Sequence, residues 1–120
     1  MAKNYVQPGE VIDYTPSAAV TSGQVVKVGS TLGVALVDIA ANATGAVQIT
    51  GVFRCPKVTT AVIAQGDPVL WDVSAGKFDA KGAAPATGDV SGPSAIAFAA
   101  AGNGATEVLI KFTGVAGTVA

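Results

Sequence analysis

The sequence has 120 residues, of which 50% are hydrophobic and only 12% are charged, about half the charged fraction of an average globular chain. Its formal net charge is −1 and its lysines and arginines are scattered, which excludes the basic footprint of a nucleic-acid-binding protein. It contains no histidine, which excludes Ser-His-Asp and Cys-His catalysis as well as mixed Cys/His zinc sites.

The first twenty residues differ from the rest of the chain. Pro8-Gly9 and Thr15-Pro16 interrupt regular structure there. Apolar and aromatic residues nevertheless accumulate in this segment, which argues that it is packed against something. We therefore predict an extended N-terminal arm over residues 1–20 and a β domain over residues 21–120. The residues expected to contact a partner or a neighbouring subunit are Lys3, Asn4, Tyr5, Val6, Gln7, Pro8 and Tyr14.

The remaining chain has the two-residue periodicity of β-strands. The predicted strands cover residues 24–28, 32–39, 46–53, 69–72, 77–79, 95–99 and 107–112. Residues 58–65 are the only candidate for a short helix, and the Ala-, Gly- and Pro-rich residues 80–93 are expected to form a long surface loop. The pattern predicts an all-β fold, a small single-domain β-barrel or β-sandwich of about eight short strands.

Few residues of the sequence suggest a catalytic, metal or cofactor site. Asp67, Asp72 and Asp79 surround Trp71, and two carboxylates can act as general acid and base, but aspartates at turns and strand ends are more simply structural. Trp71 is expected in the core, with an interface anchor as the alternative. Cys55 is either a small buried hydrophobic residue or a thiol whose pKa is lowered by Arg54. We expect no catalytic site, metal or cofactor.

Several short segments of the sequence occur in an order and spacing that are typical of a known family. They are Gly9-Glu10-Val11-Ile12-Asp13-Tyr14-Thr15-Pro16, Ala19 to Gly29, Gly33-Val34-Ala35, Gly51-Val52-Phe53, Pro56-Lys57, Gln65-Gly66-Asp67, Val69-Leu70-Trp71-Asp72 and Gly76-Lys77-Phe78. In this order and spacing the sequence resembles the small capsid cement, or decoration, proteins of tailed bacteriophages. The resemblance extends from about residue 4 to about residue 112.

The resemblance implies a non-enzymatic protein on the outer surface of a phage head. Its partners would be the major capsid protein and itself, as a homotrimer or, alternatively, a dimer. The sequence begins with no hydrophobic signal segment, and its longest apolar run, residues 95–101, is too short to span a bilayer, so we expect synthesis in the bacterial cytoplasm and no membrane partner. The alternatives are a β-barrel module that binds a ligand or carbohydrate at Trp71, a carboxylate-only hydrolase, and a tail or baseplate component.

Overall fold

A computed structural model describes residues 3–120, which form short strands and no helix. The strands are β1 (Val11–Tyr14), β2 (Val25–Val28), β3 (Thr31–Ala35), β4 (Gly45–Gln48), β5 (Thr50–Pro56), β6 (Leu70–Asp72), β7 (Lys77–Asp79), β8 (Val90–Ser91), β9 (Ala95–Ala97), β10 (Glu107–Thr113) and β11 (Thr118–Val119). They form three antiparallel sheets, and none closes into a barrel over the described range. The all-β prediction is therefore confirmed, and the architecture fits a β-sandwich.

The first sheet has the strand order β1-β4-β3-β2. Its β2–β3 hairpin turns at Gly29, whose φ of 62° favours glycine. The loops before β2 and after β3 are joined by two backbone hydrogen bonds of 2.8 Å, one in each direction between Val20 and Ile39. One face of the first sheet packs against these loops. This packing makes a small second core, formed by Val20, Val26, Ala35, Ile39 and Val47.

The main core lies where all three sheets meet. The second sheet has the order β5-β10-β9, and its longest ladder pairs Thr50–Pro56 with Glu107–Thr113 over seven residues. The third sheet, β11-β8-β6-β7, brings Trp71 against Phe78, with ring centroids 4.8 Å apart. Alternate residues of β7, β9 and β10 face inward, as the two-residue periodicity predicts, whereas adjacent residues are buried in β2, β3 and β6.

Three local predictions were wrong. Residues 46–53 form two strands in different sheets rather than one, because the chain changes sheet at Ile49 and then bends at Gly51, whose φ is 107°. Residues 58–65 are not helical; Ile63 instead pairs with Ala101 in an antiparallel bridge. The 80–93 loop contains β8, with Asp89 and Val90 buried.

The sequence also failed to indicate two strands at the ends of the chain. β1 lies inside the predicted arm of residues 1–20 and pairs with β4, whereas residues 3–10 precede it and are exposed. The first two residues of the predicted arm lie outside the described residues. β11 pairs with β8 near the end of the chain.

Candidate functional site

Among residues 3–120, the most exposed large apolar side chains lie in the N-terminal segment. Tyr5 is 70% exposed and Val6 is 87% exposed, and every residue from 3 to 10 is exposed. The side-chain amide of Gln7 donates a 3.2 Å hydrogen bond to the carbonyl of Val11, which holds the segment against the start of β1. We call residues 3–10 the exposed arm. It contains six of the seven predicted contact residues, Lys3 to Pro8.

Tyr14, the seventh, lies elsewhere. It is the last residue of β1, is half-buried, and packs against the small second core. It also lines a groove of about 580 Å³ between the first and third sheets, together with Pro16, Val25 and Val73. Trp71 contributes to the wall of this groove, but its side chain belongs to the main core and is only 7% exposed.

The three aspartates around Trp71 each stabilise local backbone or surface structure. Asp72 accepts hydrogen bonds from the backbone N–H of Ala75 and from the hydroxyl and N–H of Ser74, and these bonds hold the pKa of its carboxyl below the ordinary value. Asp79 accepts from the N–H of Ala80, and Asp67 pairs with Lys81 at 3.3 Å. Within residues 3–120, no group of three acidic or cysteine side chains is arranged to hold a metal ion.

Cys55 lies in β5 and is buried beside the main core. Burial, with a smaller contribution from Glu107, raises the pKa of its thiol from 9.0 to about 12. The alternative in which Arg54 lowers this pKa is therefore wrong, and Cys55 is a buried hydrophobic residue rather than a reactive thiol.

Lys57 has a structural role that the sequence did not indicate. Its side chain is only 1% exposed, and its ammonium donates hydrogen bonds to the carbonyls of Val58, Thr59 and Ala61 at 2.7, 3.2 and 2.5 Å. An ammonium has three donors, so this arrangement satisfies it fully. The consequence is that the loop after β5 is wrapped around an internal cation, with three of its oxygens turned inward.

The second sheet has one open face. Its inward side chains are buried in the main core, whereas Val52 and Arg54 of β5, and Leu109 and Lys111 of β10, alternate to the opposite side. Phe98, which continues β9 through a hydrogen bond from its N–H to the carbonyl of Leu109, is 50% exposed. Apolar and charged side chains thus alternate on this face, with Lys111 of the central strand between Val52 and Ile96.

This open face continues past β9. Residues 63–69 run antiparallel to residues 95–101, joined by the bridges Ile63–Ala101 and Pro68–Ile96. Val62 and Ala64, on either side of the buried Ile63, are exposed, and so are Ala100 and Gly102 on the facing segment. Asp67, which lies in the first of these segments, makes an ion pair with the exposed Lys81.

The whole chain exposes 6499 Å². A compact monomer of this mass is expected to expose about 5,900 Å². The structure measures 48 × 34 × 23 Å, so its flattened body and exposed arm account for the additional surface. The few charged residues are therefore spread over a larger surface than the chain length alone implies.

The sequence model of the phage cement protein family matches residues 6–112, from the exposed arm to β10. The chain belongs to the phage cement protein family. This confirms the resemblance seen in the ordered segments, and it assigns the chain to a structural family associated with the phage capsid of the virion. No curated protein matches the chain. The described residues contain no helix that is long and apolar enough to cross a membrane.

Proposed function

We propose that this cement protein binds the outer surface of a tailed-phage head and stabilises the shell by bridging subunits of the major capsid protein. The observation that carries the proposal is the exposed arm in a chain of this family. Tyr5 and Val6 stand 70% and 87% exposed on a segment held to β1 at Gln7, which is the arrangement of a binding element without its partner.

Bridging stabilises a shell by mass action. A ligand that binds two assembled capsid subunits, and not the separated ones, adds its binding free energy to the free energy needed to part them. Contacts from several copies of the cement protein act together, so each contact can be modest. Because the surface is poor in charge, binding should depend only weakly on salt.

The exposed arm supplies the contact with the capsid or with an adjacent cement subunit. Its apolar side chains give binding energy by leaving water, and Lys3, Asn4 and Gln7 offer polar groups at the rim of the contact. Tyr14 orients the segment from the other end of β1, where it is packed in the small second core.

Self-association belongs to the same proposal. The protein acts as a homotrimer, or alternatively a dimer, because a small oligomer presents several arms to the lattice at once. Its weakly charged surface leaves room for such contacts. The protein is non-enzymatic, and takes no nucleic acid or membrane as a partner. It is synthesised in the host cytoplasm before it joins the virion.

The buried Trp71 favours this function over the ligand-binding alternative. A carbohydrate module presents an aromatic ring to its ligand, whereas Trp71 is only 7% exposed and packs against Phe78. The aspartates near it are occupied in turns and in an ion pair, which equally disfavours a carboxylate-only hydrolase.

Cosedimentation with heads stripped of the protein tests the proposal. The full chain should bind saturably and raise the temperature at which the heads release DNA. A chain lacking residues 2–9 keeps β1 intact, and it should lose most of its occupancy. Val37→Asp, which adds a charge at another exposed valine, serves as the control and should bind like the full chain. Undiminished binding without residues 2–9 would reject the arm contact, and no binding by the full chain would reject the function.

A further inference from the structure

We propose that the groove between the first and third sheets binds the exposed arm of a second copy of this chain, which adds to the free edge of β2 as a further strand. The inference rests on the proposed self-association and assigns it a donor and an acceptor. The donor is the exposed arm, and the acceptor is the groove of about 580 Å³ along residues 23–27.

The groove runs along the edge of β2. This strand is the last in the first sheet and has β3 on one side only. Five consecutive residues, 23–27, line the groove, whereas a pocket on a sheet face would be lined by alternate residues of a strand. Trp71 of β6, and Val73 and Gly76 of the turn that follows it, line the groove from the third sheet. The groove therefore lies where another strand can add to β2.

The edge of β2 offers main-chain hydrogen-bonding groups to this groove. The N–H of Ala35 donates to the carbonyl of Gln24 at 3.0 Å, so Gln24 and Val26 face β3. Alternate residues of an antiparallel strand point their N–H and C=O groups the other way, which turns those of Val25 and Lys27 outward. No other strand within residues 3–120 pairs with this edge. An extended segment satisfies such a row of groups by strand addition, which a globular surface does not.

The exposed arm has the length and composition that the groove requires. It contains no paired strand, and its residues 4–9 carry no charge, so six uncharged residues are available for an edge lined by five. Tyr5 and Val6 are 70% and 87% exposed, and in the groove they leave water against the side chains of Tyr14 and Val73.

Charge selects the arm among extended segments. Lys27 is the only charged side chain among the described residues that line the groove, and it lies at one end of the edge. Its ammonium has three donors, one of which is bonded to the carbonyl of Gly88 at 3.0 Å. The arm has one carboxylate, Glu10, at the end that continues into β1. Glu10 of one copy can therefore pair with Lys27 of the next.

The opposite ends of the groove and of the arm are also complementary. Ser22 lies just beyond the other end of the edge, and its N–H donates to the exposed carboxylate of Asp38 at 2.7 Å. The arm carries its single cation, Lys3, at the corresponding end. A parallel arm brings Lys3 toward Asp38 and Glu10 toward Lys27, whereas an antiparallel arm brings like charges together at both ends. The arm therefore lies parallel to β2.

The donor and the acceptor belong to opposite edges of the first sheet. The arm continues into β1, and β1 and β2 are the outer strands of the order β1-β4-β3-β2. Each contact thus joins different surfaces of two copies, and such contacts close into a ring when the rotation between copies allows it. Three copies in a ring, or two that exchange arms, occupy every arm and every groove.

Sedimentation velocity from micromolar to hundreds of micromolar tests the charge pairing. The wild type should associate. Glu10→Lys and Lys27→Glu should each raise the dissociation constant at least about tenfold, since each brings like charges together. The double variant Glu10→Lys/Lys27→Glu restores an opposite pair and should associate like the wild type. A double variant as weak as the single ones would overturn the inference.

Glu107→Lys and Lys111→Glu are the matched controls. Both side chains are exposed on β10 and neither lines the groove, so each reversal changes the net charge equally without reaching the contact. Both should associate like the wild type, and circular dichroism and thermal unfolding should show every variant folded. Controls as weak as the single groove variants would assign the effect to net charge and overturn the inference.

Disulfide trapping identifies the occupant of the groove. In a Cys55→Ala background, a chain with Val6→Cys should form a disulfide-linked dimer with a chain carrying Val73→Cys, because Val73 lines the groove and is 44% exposed. Val37→Cys in place of Val73→Cys is the control, since Val37 is 48% exposed and lies outside the groove. Equal trapping at both positions would overturn the inference. So would a chain with both Val6→Cys and Val73→Cys that links only within itself, since the arm would then occupy its own groove.

A parallel binding assay on stripped heads separates this inference from the proposed function. A wild type that is monomeric both free and after release from heads, yet still binds them, would overturn the arm–groove contact and leave capsid binding intact. Association with rescue by the double variant, but without binding to heads, would overturn the capsid function and leave the contact between copies.

Discussion

Lys57 and Tyr5 occupy the opposite of their usual environments: the lysine is inside the molecule and the tyrosine is outside. Lys57 is 1% exposed, and three carbonyls of the following loop surround its ammonium. Tyr5 is 70% exposed on a segment whose one described side-chain hydrogen bond is at Gln7. The buried cation serves the fold, whereas the proposed function assigns the exposed ring to a contact outside the chain. Substitution at the two positions should therefore affect different quantities.

Lys57→Met should have the largest effect, on stability. Removal of the ammonium leaves three carbonyls without their donor in a buried site, so we expect a loss of about 3–5 kcal/mol in the free energy of unfolding. Urea denaturation of the purified chain measures it. A loss below about 1 kcal/mol would mean that water or a rearranged loop replaces the ammonium, and the contrast with Tyr5 would then fail.

The double variant Tyr5→Ala/Val6→Ala should show the reverse behaviour. Both side chains are largely exposed, so the free energy of unfolding should change by no more than about 0.5 kcal/mol. The dissociation constant for stripped heads should rise about tenfold or more, since apolar surface that leaves water on binding is lost. A change in stability without a change in head binding would assign the arm to the fold instead.

Stability at alkaline pH should test the burial of Cys55 on the inward side of β5. Burial raises the pKa of Cys55 from 9.0 to about 12, so the folded chain retains a proton that the unfolded chain releases. Stability from this group is complete below pH 9 and is lost as pH rises toward 12, by at most about 1.4 kcal/mol per pH unit. The measurement is the pH dependence of urea unfolding in the wild type and in Cys55→Ala. An equal slope in both would contradict the burial of the thiol.

Lys81→Met should have the smallest effect and provides the control for Lys57. The side chain of Lys81 is 61% exposed, and it makes a 3.3 Å ion pair with Asp67. Surface pairs contribute from about zero to 1 kcal/mol because water and salt screen them. The same urea experiment should therefore find a shift of less than about 1 kcal/mol. A loss as large as that of Lys57→Met would show that burial does not distinguish the two lysines.

The sequence predicted the fold class and the family well, but not which residues meet. Two-residue periodicity specifies which side chains face inward, and this was enough for an all-β fold and for Trp71 in the core. It does not specify which sheet a strand joins. The alternation in residues 46–53 is continuous across Ile49, so the change of sheet there left no signal in the pattern.

The candidate surfaces were predictable in part for a similar reason. Tyr5 and Val6, next to Pro8-Gly9, marked the N-terminal segment, because that signal is local. Lys57 could not be recognised, because its ammonium is satisfied only when the loop of residues 58–61 closes around it. The continuation of the open face past β9 depends on pairing between residues about 40 positions apart, such as Ile63 and Ala101, and composition alone does not reveal such pairing.

The exposed arm also sets a length scale. Its eight described residues, 3–10, can span at most about 26–29 Å when extended. This is more than the 23 Å thickness of the molecule and close to its 34 Å width. In the proposed function, a subunit anchored at one point of a lattice would therefore reach a neighbour almost one body width away. Such a tether would tolerate small changes in capsomer spacing that a rigid contact between two globular surfaces would not.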